Sequence, residues 1–267
     1  PNFLKEQAVD LHDEYVMERY KEGLTGKGRY VKSPESLFTV KKPKTIKIPD
    51  GLQTIASLNK EHPAKDYILK RGIPEKYHTE LYYAEKFQAW VNTQKHTYSD
   101  ESLKYDHPRV IIPLIEGGSW FGFQGRSLDP KDKMRYVTVI LEDDKKKIYG
   151  LNHCSFDETL FVTEGPIDSL FLKNAIAMVG ADVDWKFAEE KNVVFVYDNE
   201  PRNEQIVRRM QTVIDRGLRL VIWPKHIQQK DINDMVQAGH TVQSIVECNT
   251  TSGLKAQLTL NDWKRVL

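Results

Sequence analysis

The sequence predicts an α/β protein whose larger part is a parallel sheet flanked by helices, preceded by a smaller mixed α+β lobe and N-terminal helices. Three observations carry this expectation. From about residue 158 to 250, short apolar runs alternate with amphipathic stretches at the rhythm of βαβ units. Between 107 and 150 the texture changes to apolar strands separated by glycine turns. Three short acidic motifs follow the βαβ strands in order: Glu164-Gly165-Pro166-Ile167-Asp168, Asp198-Asn199-Glu200 and Asp231-Ile232-Asn233-Asp234.

Residues 1–22 read as an N-terminal helix, with Leu4, Ala8, Leu11, Tyr15 and Met17 near helical spacing and Gly23 as its terminator. Residues 23–57 read as a basic linker; within 23–49, Lys27, Arg29, Lys32, Lys41, Lys42, Lys44 and Lys47 face only Glu35. Such a run is either a solvated tether or an arm that grips phosphates. Residues 58–156 form one lobe of helices plus a basic hairpin. Its first part, Leu58 to about Lys86, is expected to be helical, with Pro63 in a first turn and Gly72 at an end. Tyr77, Leu81, Tyr82, Tyr83, Phe87 and Trp90 lie near helical spacing, which favours core over a base-stacking platform.

Val110–Ile115 and Ser119–Arg126 read as a hairpin around Glu116-Gly117-Gly118, and Arg135–Val139 as a further strand. Arg109, Arg126, Lys131, Lys133, Arg135, Lys145, Lys146 and Lys147 recur along this stretch. They suit either a template strand or triphosphate, or a plain solvent face. Residues 157–250 carry the sheet, with strands at 160–163, 176–179, 193–197 and 218–223. Helices are expected at 167–174, 184–191, 203–216, 231–238 and 241–248. The tail, 251–267, either docks a partner or packs on the core through Leu254, Leu258, Leu260 and Trp263.

Net charge is +1, from 39 basic and 38 acidic residues, so any nucleic-acid binding must come from locally clustered bases. Cys154 and Cys248 are the only cysteines and form no CxxC, which argues against a disulfide framework or a zinc ribbon within these residues and fits a reduced, cytosolic setting. No apolar stretch approaches the ~20 residues of a membrane span.

In an open parallel sheet, ligands gather beyond the carboxyl ends of the strands, where the acidic motifs fall. Carboxylates crowded together repel one another, and hard divalent cations are the usual remedy. Mg²⁺ fits an oxygen-only set and Mn²⁺ can replace it; the chemistry implied is phosphoryl or nucleotidyl transfer. Gly165 is expected to free the backbone for a sharp turn, with Pro166 in the first turn of the following helix. Glu164 then binds metal or acts as a general base. Asp168 stands open between the site and stabilising its helix N-terminus. Asp231 and Asp234 have a rival role in capping. His153, His226 and His240 show no ligand spacing and read as structural.

Taken together, Glu164-Gly165-Pro166-Ile167-Asp168, Asp198-Asn199-Glu200-Pro201-Arg202 and Lys230-Asp231-Ile232-Asn233-Asp234 resemble a Toprim domain. Upstream, Arg109–Pro113, Gly122-Phe123-Gln124-Gly125-Arg126, Arg135-Tyr136-Val137 and Ile148-Tyr149-Gly150 resemble the lobe that precedes Toprim in bacterial-type primases, which topoisomerases and Toprim nucleases lack. His62-Pro63 and Arg71-Gly72-Ile73-Pro74 extend the likeness, and residues 164–171 and 198–202 are worded most like the T-even-type bacteriophage branch.

The resemblance implies an RNA polymerase core that makes short RNA primers on single-stranded DNA from ribonucleoside triphosphates, beside a replicative helicase, in the cytoplasm of an infected bacterium. It implies Glu164, Asp198 and Glu200 as catalytic and metal-binding acids, completed by Asp231 and Asp234. It implies Arg109, Arg126, Lys133, Arg135, Lys145, Lys146, Lys147, Arg202 and Lys230 as nucleotide or template contacts. Glu200 departs from the aspartate of the wider class. Zinc is implied only in an N-terminal module, and the chain begins about where that module would end. The alternatives are a Toprim nuclease using the same acids, or a non-catalytic module binding single-stranded DNA or a helicase.

Overall fold

The computed structural model describes residues 49–180 and 185–266. The expected helix 1–22 and all but the end of the basic linker lie outside the described residues. Two sheets organise the rest. The first is antiparallel, its strands in sequence order: β1 (Gln53–Thr54), β2 (Tyr82–Ala84), β3 (Arg109–Glu116), β4 (Ser119–Ser127) and β5 (Tyr136–Ile140). Helices α1 (Pro63–Lys70), α2 (Phe87–Gln94) and α3 (Asp100–Leu103) lie between its strands in sequence.

Helix α1 begins where His62 Nδ1 accepts the Ala64 amide and Pro63 fills the first turn, and it buries Ala64 and Ile68. It is shorter than expected. Gly72, in the left-handed region at φ +67°, ends it, and the chain turns at Pro74 before a single 3₁₀ turn over Glu75–Tyr77. The helical reading through Lys86 is therefore corrected: Tyr82 and Tyr83 sit on a strand opposite Ile111 and Val110. Tyrosines suit that half-buried pleated surface. Leu81, Tyr82, Phe87 and Trp90 are buried, as a core aromatic cluster should be.

The hairpin forms as expected, with Val110 opposite Arg126 and a register shift between Leu114 and Ile115. Side chains alternate along it, so the sheet has two distinct faces. Ile111, Ile115 and Phe123 pack with Phe87 and Trp90 on one. Val110, Ile112, Leu114 and Phe121 pack on the other against Ile167, Leu170 and Ala177 of the second sheet's half. That shared core fixes the lobes together; each fully buried aliphatic side chain stabilises by roughly 1.5–3 kcal/mol.

The second sheet comprises β6 (Ile148–Tyr149), β7 (Leu160–Thr163), β8 (Ala175–Met178), β9 (Val193–Val196), β10 (Arg219–Val221) and β11 (Thr250–Thr251). Its spatial order is β11-β10-β9-β7-β8-β6, with β10, β9, β7 and β8 parallel and antiparallel strands at both edges. Strand β6, expected with the first lobe, pairs Ile148 with Met178 on this sheet. The connecting helices are α4 (Pro166–Ser169), α5 (Trp185–Glu190), α6 (Glu204–Asp215), α7 (Ile232–Gln237) and α8 (Val242–Cys248). Helix α4 is one turn, not the expected eight residues. The tail is a helix, α9 (Gly253–Trp263), which packs on α6 and buries Ala256, Leu260 and Trp263, while Leu254 and Leu258 stay exposed.

Candidate active site

Strand β8 lies on one side of β7 and β9 on the other, so the strand order reverses between β7 and β9. A crevice opens beyond the carboxyl ends at such a reversal. Thr163 is in register with Val196, which places Glu164 and Asp198 just past the ends of neighbouring strands. Strand β10 lies beside β9, and the chain after it brings in Lys230, Asp231 and Asp234. A short bond from the Asn199 amide to the Lys230 carbonyl, 2.6 Å, ties the second and third motifs. The Asn199 side chain also donates to the Ile227 and Gln229 carbonyls, at 3.0 Å each.

The acids are short of countercharge. One oxygen of Glu164, Oε1, is buried with no hydrogen-bond partner among the described residues; the other lies 3.7 Å from Arg209. Burial pushes the Glu164 carboxyl above its ordinary range, opposed by Arg209 and reinforced by Glu200. Asp198 is pushed up to about 8, by burial first and then by the charges of Glu164, Asp168 and Asp231. Lys230 Nζ sits 3.4 Å from Glu200 and 3.9 Å from Asp198. Asp231 caps α7, accepting the Asp234 amide at 2.7 Å. Asp234 is exposed, and burial with the neighbouring Asp231 pushes its carboxyl up.

Asp168 is held differently. Its Oδ1 accepts the Asn233 amide at 3.1 Å, so it braces α7. Burial, then Asp231, pushes its enclosed carboxyl to about 7. Asn233 is buried and exchanges two 2.6 Å bonds with Arg71: its Oδ1 accepts from Nη1, and its Nδ2 donates to the Arg71 carbonyl. The end of α1 is thereby joined to the third acidic motif. The role expected for Gly165 is corrected here. Its φ of −111° is open to any residue, but a Cβ there would stand 3.1 Å from Asp168 Oδ2. The glycine makes room for Asp168.

The basic residues divide. Arg126, on the face toward the second sheet, donates to the Tyr67 hydroxyl at 2.9 Å and lies 4.5 Å from the Tyr136 ring centroid. Arg71 also covers Tyr67, at 5.0 Å. Tyr136 keeps 40% of its surface exposed while its hydroxyl is enclosed: burial pushes it to about 12, and Arg126, Arg71 and Asp168 act on it. A cation and aromatic ladder thus runs from β5 to the acids. Arg109 points to the opposite face. It is buried, donates to Asp132 at 2.7 Å and to the Gly125 and Met134 carbonyls, and lies over Phe87. Both terminal nitrogens of its guanidinium are bonded in the interior while Nε has no partner among the described residues, and the group lies away from the acids.

Lys133 and Arg135 are exposed near Tyr136, Lys145 pairs with Glu116 at 2.6 Å, and Lys147 lies near Gly180 past the end of β8. Lys146 and Arg202 are exposed. A cleft of about 1000 Å³ lies elsewhere, between Pro49–Gly51, α2 and Trp120. Its ionisable lining is Asp50, Glu85 and Lys86, and it does not reach the acidic motifs.

No protein-family model matches the chain. Over 99% of its length it is 34% identical to the DNA primase of Enterobacteria phage T4, of which it covers 78%. The chain belongs to the DNA primase family. The structure of the Aquifex aeolicus primase zinc-binding and RNA polymerase domains matches this primase with a TM-score of 0.52 at 19% identity, covering 76% of this chain and 56% of that one. The DnaG primase catalytic domain bound to single-stranded DNA matches at 0.52 and 20% identity, covering 70% of both chains. The fold is that of the primase catalytic core, and the activity is that of a DNA primase.

Primases use divalent metals, and the donors at the sheet reversal suit one. All are oxygens, Glu164 Oε1 is orphaned, and burial and mutual repulsion leave Asp198 with too little positive charge around it. Among the described residues no three Asp, Glu, His or Cys side chains already stand at metal-ligand spacing; Lys230 stands between Asp198 and Glu200 instead. Sequence reasoning missed Arg71, Asn233 and Tyr136 as members of this site. The signal was present in Arg71-Gly72-Ile73-Pro74 and in Arg135-Tyr136-Val137, where attention went to the glycine and the arginine.

Proposed function

We propose that this primase joins ribonucleotides at the crevice above β7, β9 and β10, using Mg²⁺ or Mn²⁺ held by Asp198, Glu200 and Asp231 with Asp234 and Glu164 beside them. The observation that carries the reading is the convergence of under-compensated carboxylates at the strand-order reversal, with Asp198 pushed to about 8. A divalent cation there neutralises phosphate charge and makes a 3′-hydroxyl more acidic. Glu164, its Oε1 buried and unpartnered, accepts the hydroxyl proton. Lys230, freed from Asp198 and Glu200, turns to the phosphates as a mobile point charge.

The two sheets act as a template-holding lobe and a metal-binding lobe. The template passes along Arg126, Tyr136, Lys133 and Arg135, where an exposed ring and flexible cations suit a base and its phosphates. Lys147 and Arg202 flank the crevice as nucleotide contacts. Single-stranded DNA, ribonucleoside triphosphates and a replicative helicase are the proposed partners, and an infected bacterial cell the proposed setting. Among the described residues no helix is long and apolar enough to cross a membrane.

The test is incorporation of labelled ribonucleotides on single-stranded DNA with Mg²⁺ or Mn²⁺, with and without a dinucleotide that bypasses initiation. Short products that vanish in Asp198→Asn support the reading. A folded Asp198→Asn protein that still makes primers removes it, and shortened template in place of primers points to a nuclease.

A further inference from the structure

Behind the loop that carries Asp198 and Glu200 lies a second concavity of about 580 Å³, bounded by Asn199–Asn203, by Pro224–Gln228 and by Trp263 with Arg265. Its size is within the roughly 300–1,000 Å³ of small-ligand pockets. Three cations line it: Arg202, Lys225 and Arg265. Arg202 is exposed and has no side-chain partner among the described residues. Arg265 donates through Nη1 to the main-chain carbonyls of Asp262 and Lys264, bonds that leave its charge in place. Lys225 pairs with Asp262 at 2.8 Å. The one carboxylate in the wall, Glu200, is shared with Lys230 and Asn203, and Asp262 pairs with Lys225, which leaves the cleft with an excess of positive charge. Pro201, Pro224, Ile227 and Trp263 also line it, the last two nearly buried.

The cleft is also wired to the acidic loop. The Trp263 indole N–H donates to Asn199 Oδ1 at 3.2 Å, and the Arg265 amide donates to the Pro201 carbonyl at 2.7 Å. The end of α9 therefore clamps the loop that presents the acids. The first amides of α6 are capped by Asn203, so contacts to an anion fall to the three side chains. Two arginines and a lysine in one cleft match a ligand that carries several phosphate groups.

We propose that this cleft binds the polyphosphate chain of a ribonucleotide, with Arg202, Lys225 and Arg265 as its contacts. The inference rests on the proposed function only for which ribonucleotide is held. Either the initiating nucleotide, which keeps its 5′-triphosphate, or the incoming one supplies the same chemistry.

The test has a binding arm and a synthesis arm. Inorganic tripolyphosphate is titrated calorimetrically, without divalent metal, into the full chain, the double variant K225Q/R265Q, Arg265→Lys and Asp198→Asn. Affinity should fall at least tenfold in K225Q/R265Q and persist in Arg265→Lys and Asp198→Asn, with thermal melts showing all four folded. Primer synthesis is then compared de novo and from a dinucleotide lacking 5′ phosphates. Loss confined to de novo synthesis identifies the initiating nucleotide; a raised KM for ribonucleotides in both assays identifies the incoming one. Equal tripolyphosphate binding by the wild type and K225Q/R265Q, or none by either, overturns the proposal. A wild-type chain that binds tripolyphosphate through these residues yet makes no primers keeps the cleft and removes the proposed function instead.

Discussion

Arg109 on the five-stranded sheet and Asp198 at the rim of the six-stranded one are both enclosed charged groups, and their surroundings are opposite. Arg109 meets a carboxylate, two carbonyls, His107 and the Phe87 ring. Asp198 meets burial and three other acids, with a lysine 3.9 Å away. A buried charge held by an opposite charge and several carbonyls holds a fold together, and removing one partner is costly. A carboxylate left in repulsion burdens the fold, and in a cleft it is a candidate functional group. The comparison teaches that the location of a charge says less than what surrounds it.

The largest effect expected is on Asp198. Asp198→Asn should lower primer synthesis by at least about 1,000-fold, the scale of losing a group that stabilises transition-state charge. Its metal-free melting temperature should stay level or rise, because a repelling carboxylate has gone. A clear fall in melting temperature would show that Asp198 is structural like Arg109, and would collapse the contrast.

Arg109→Met should do the reverse. It leaves Asp132 without its 2.7 Å partner and should destabilise by about 3 kcal/mol, read by urea unfolding. If stability holds while binding to single-stranded DNA is lost, Arg109 belongs with the template contacts after all. Gly125→Ala tests the packing around that guanidinium. A Cβ there would overlap the Phe87 ring and come within 3.1 Å of Arg109 Cδ, for an expected loss of about 1–3 kcal/mol, with activity per folded molecule unchanged.

The pH response sharpens the acidic side of the comparison. Asp168 at about 7 and Asp198 at about 8 lie above their unfolded values. The folded chain therefore binds protons more tightly there, and the associated stability is lost as pH rises through 7 to 8. The metal-free protein should melt higher at pH 6 than at pH 8.5, by roughly 2–4 °C for each kcal/mol involved. Mg²⁺ should flatten the difference, and a profile that is flat without metal would mean the acids are already compensated. Smallest of all, Arg126→Gln should weaken single-stranded DNA binding several-fold and make it less sensitive to salt. Unchanged binding would move the template path off the Arg126–Tyr136 ladder.

Much of the fold was legible because it rests on local pattern. The apolar run Val193–Val196, buried along its whole length, announces an interior parallel strand, and the helix expected over 203–216 is found as α6. Tyr82–Ala84 was misread because aromatic spacing suits both helix and strand until a partner strand exists to pair with it. The brevity of α4 was equally hidden. The motif residues were legible as acids, but the bond from Asn233 to Asp168 was not, since it joins residues 65 positions apart. Arg109 and Arg126 looked equivalent in the sequence. Pairing of Val110 with Arg126 puts them on opposite faces, a difference of parity that appears only once the register is known.

By itself the sequence determined the order of strands and helices from 160 to 248, the three acidic motifs and the likeness to primases, because those depend on neighbours along the chain. The tertiary structure alone decided that the chain order reverses between β7 and β9, that Arg71 reaches the third motif, and that Arg109 is interior while Arg126 faces the acids. Those outcomes depend on which strands lie side by side and which face each residue takes. Contacts between distant parts of the chain settle both, and no local run of residues encodes them.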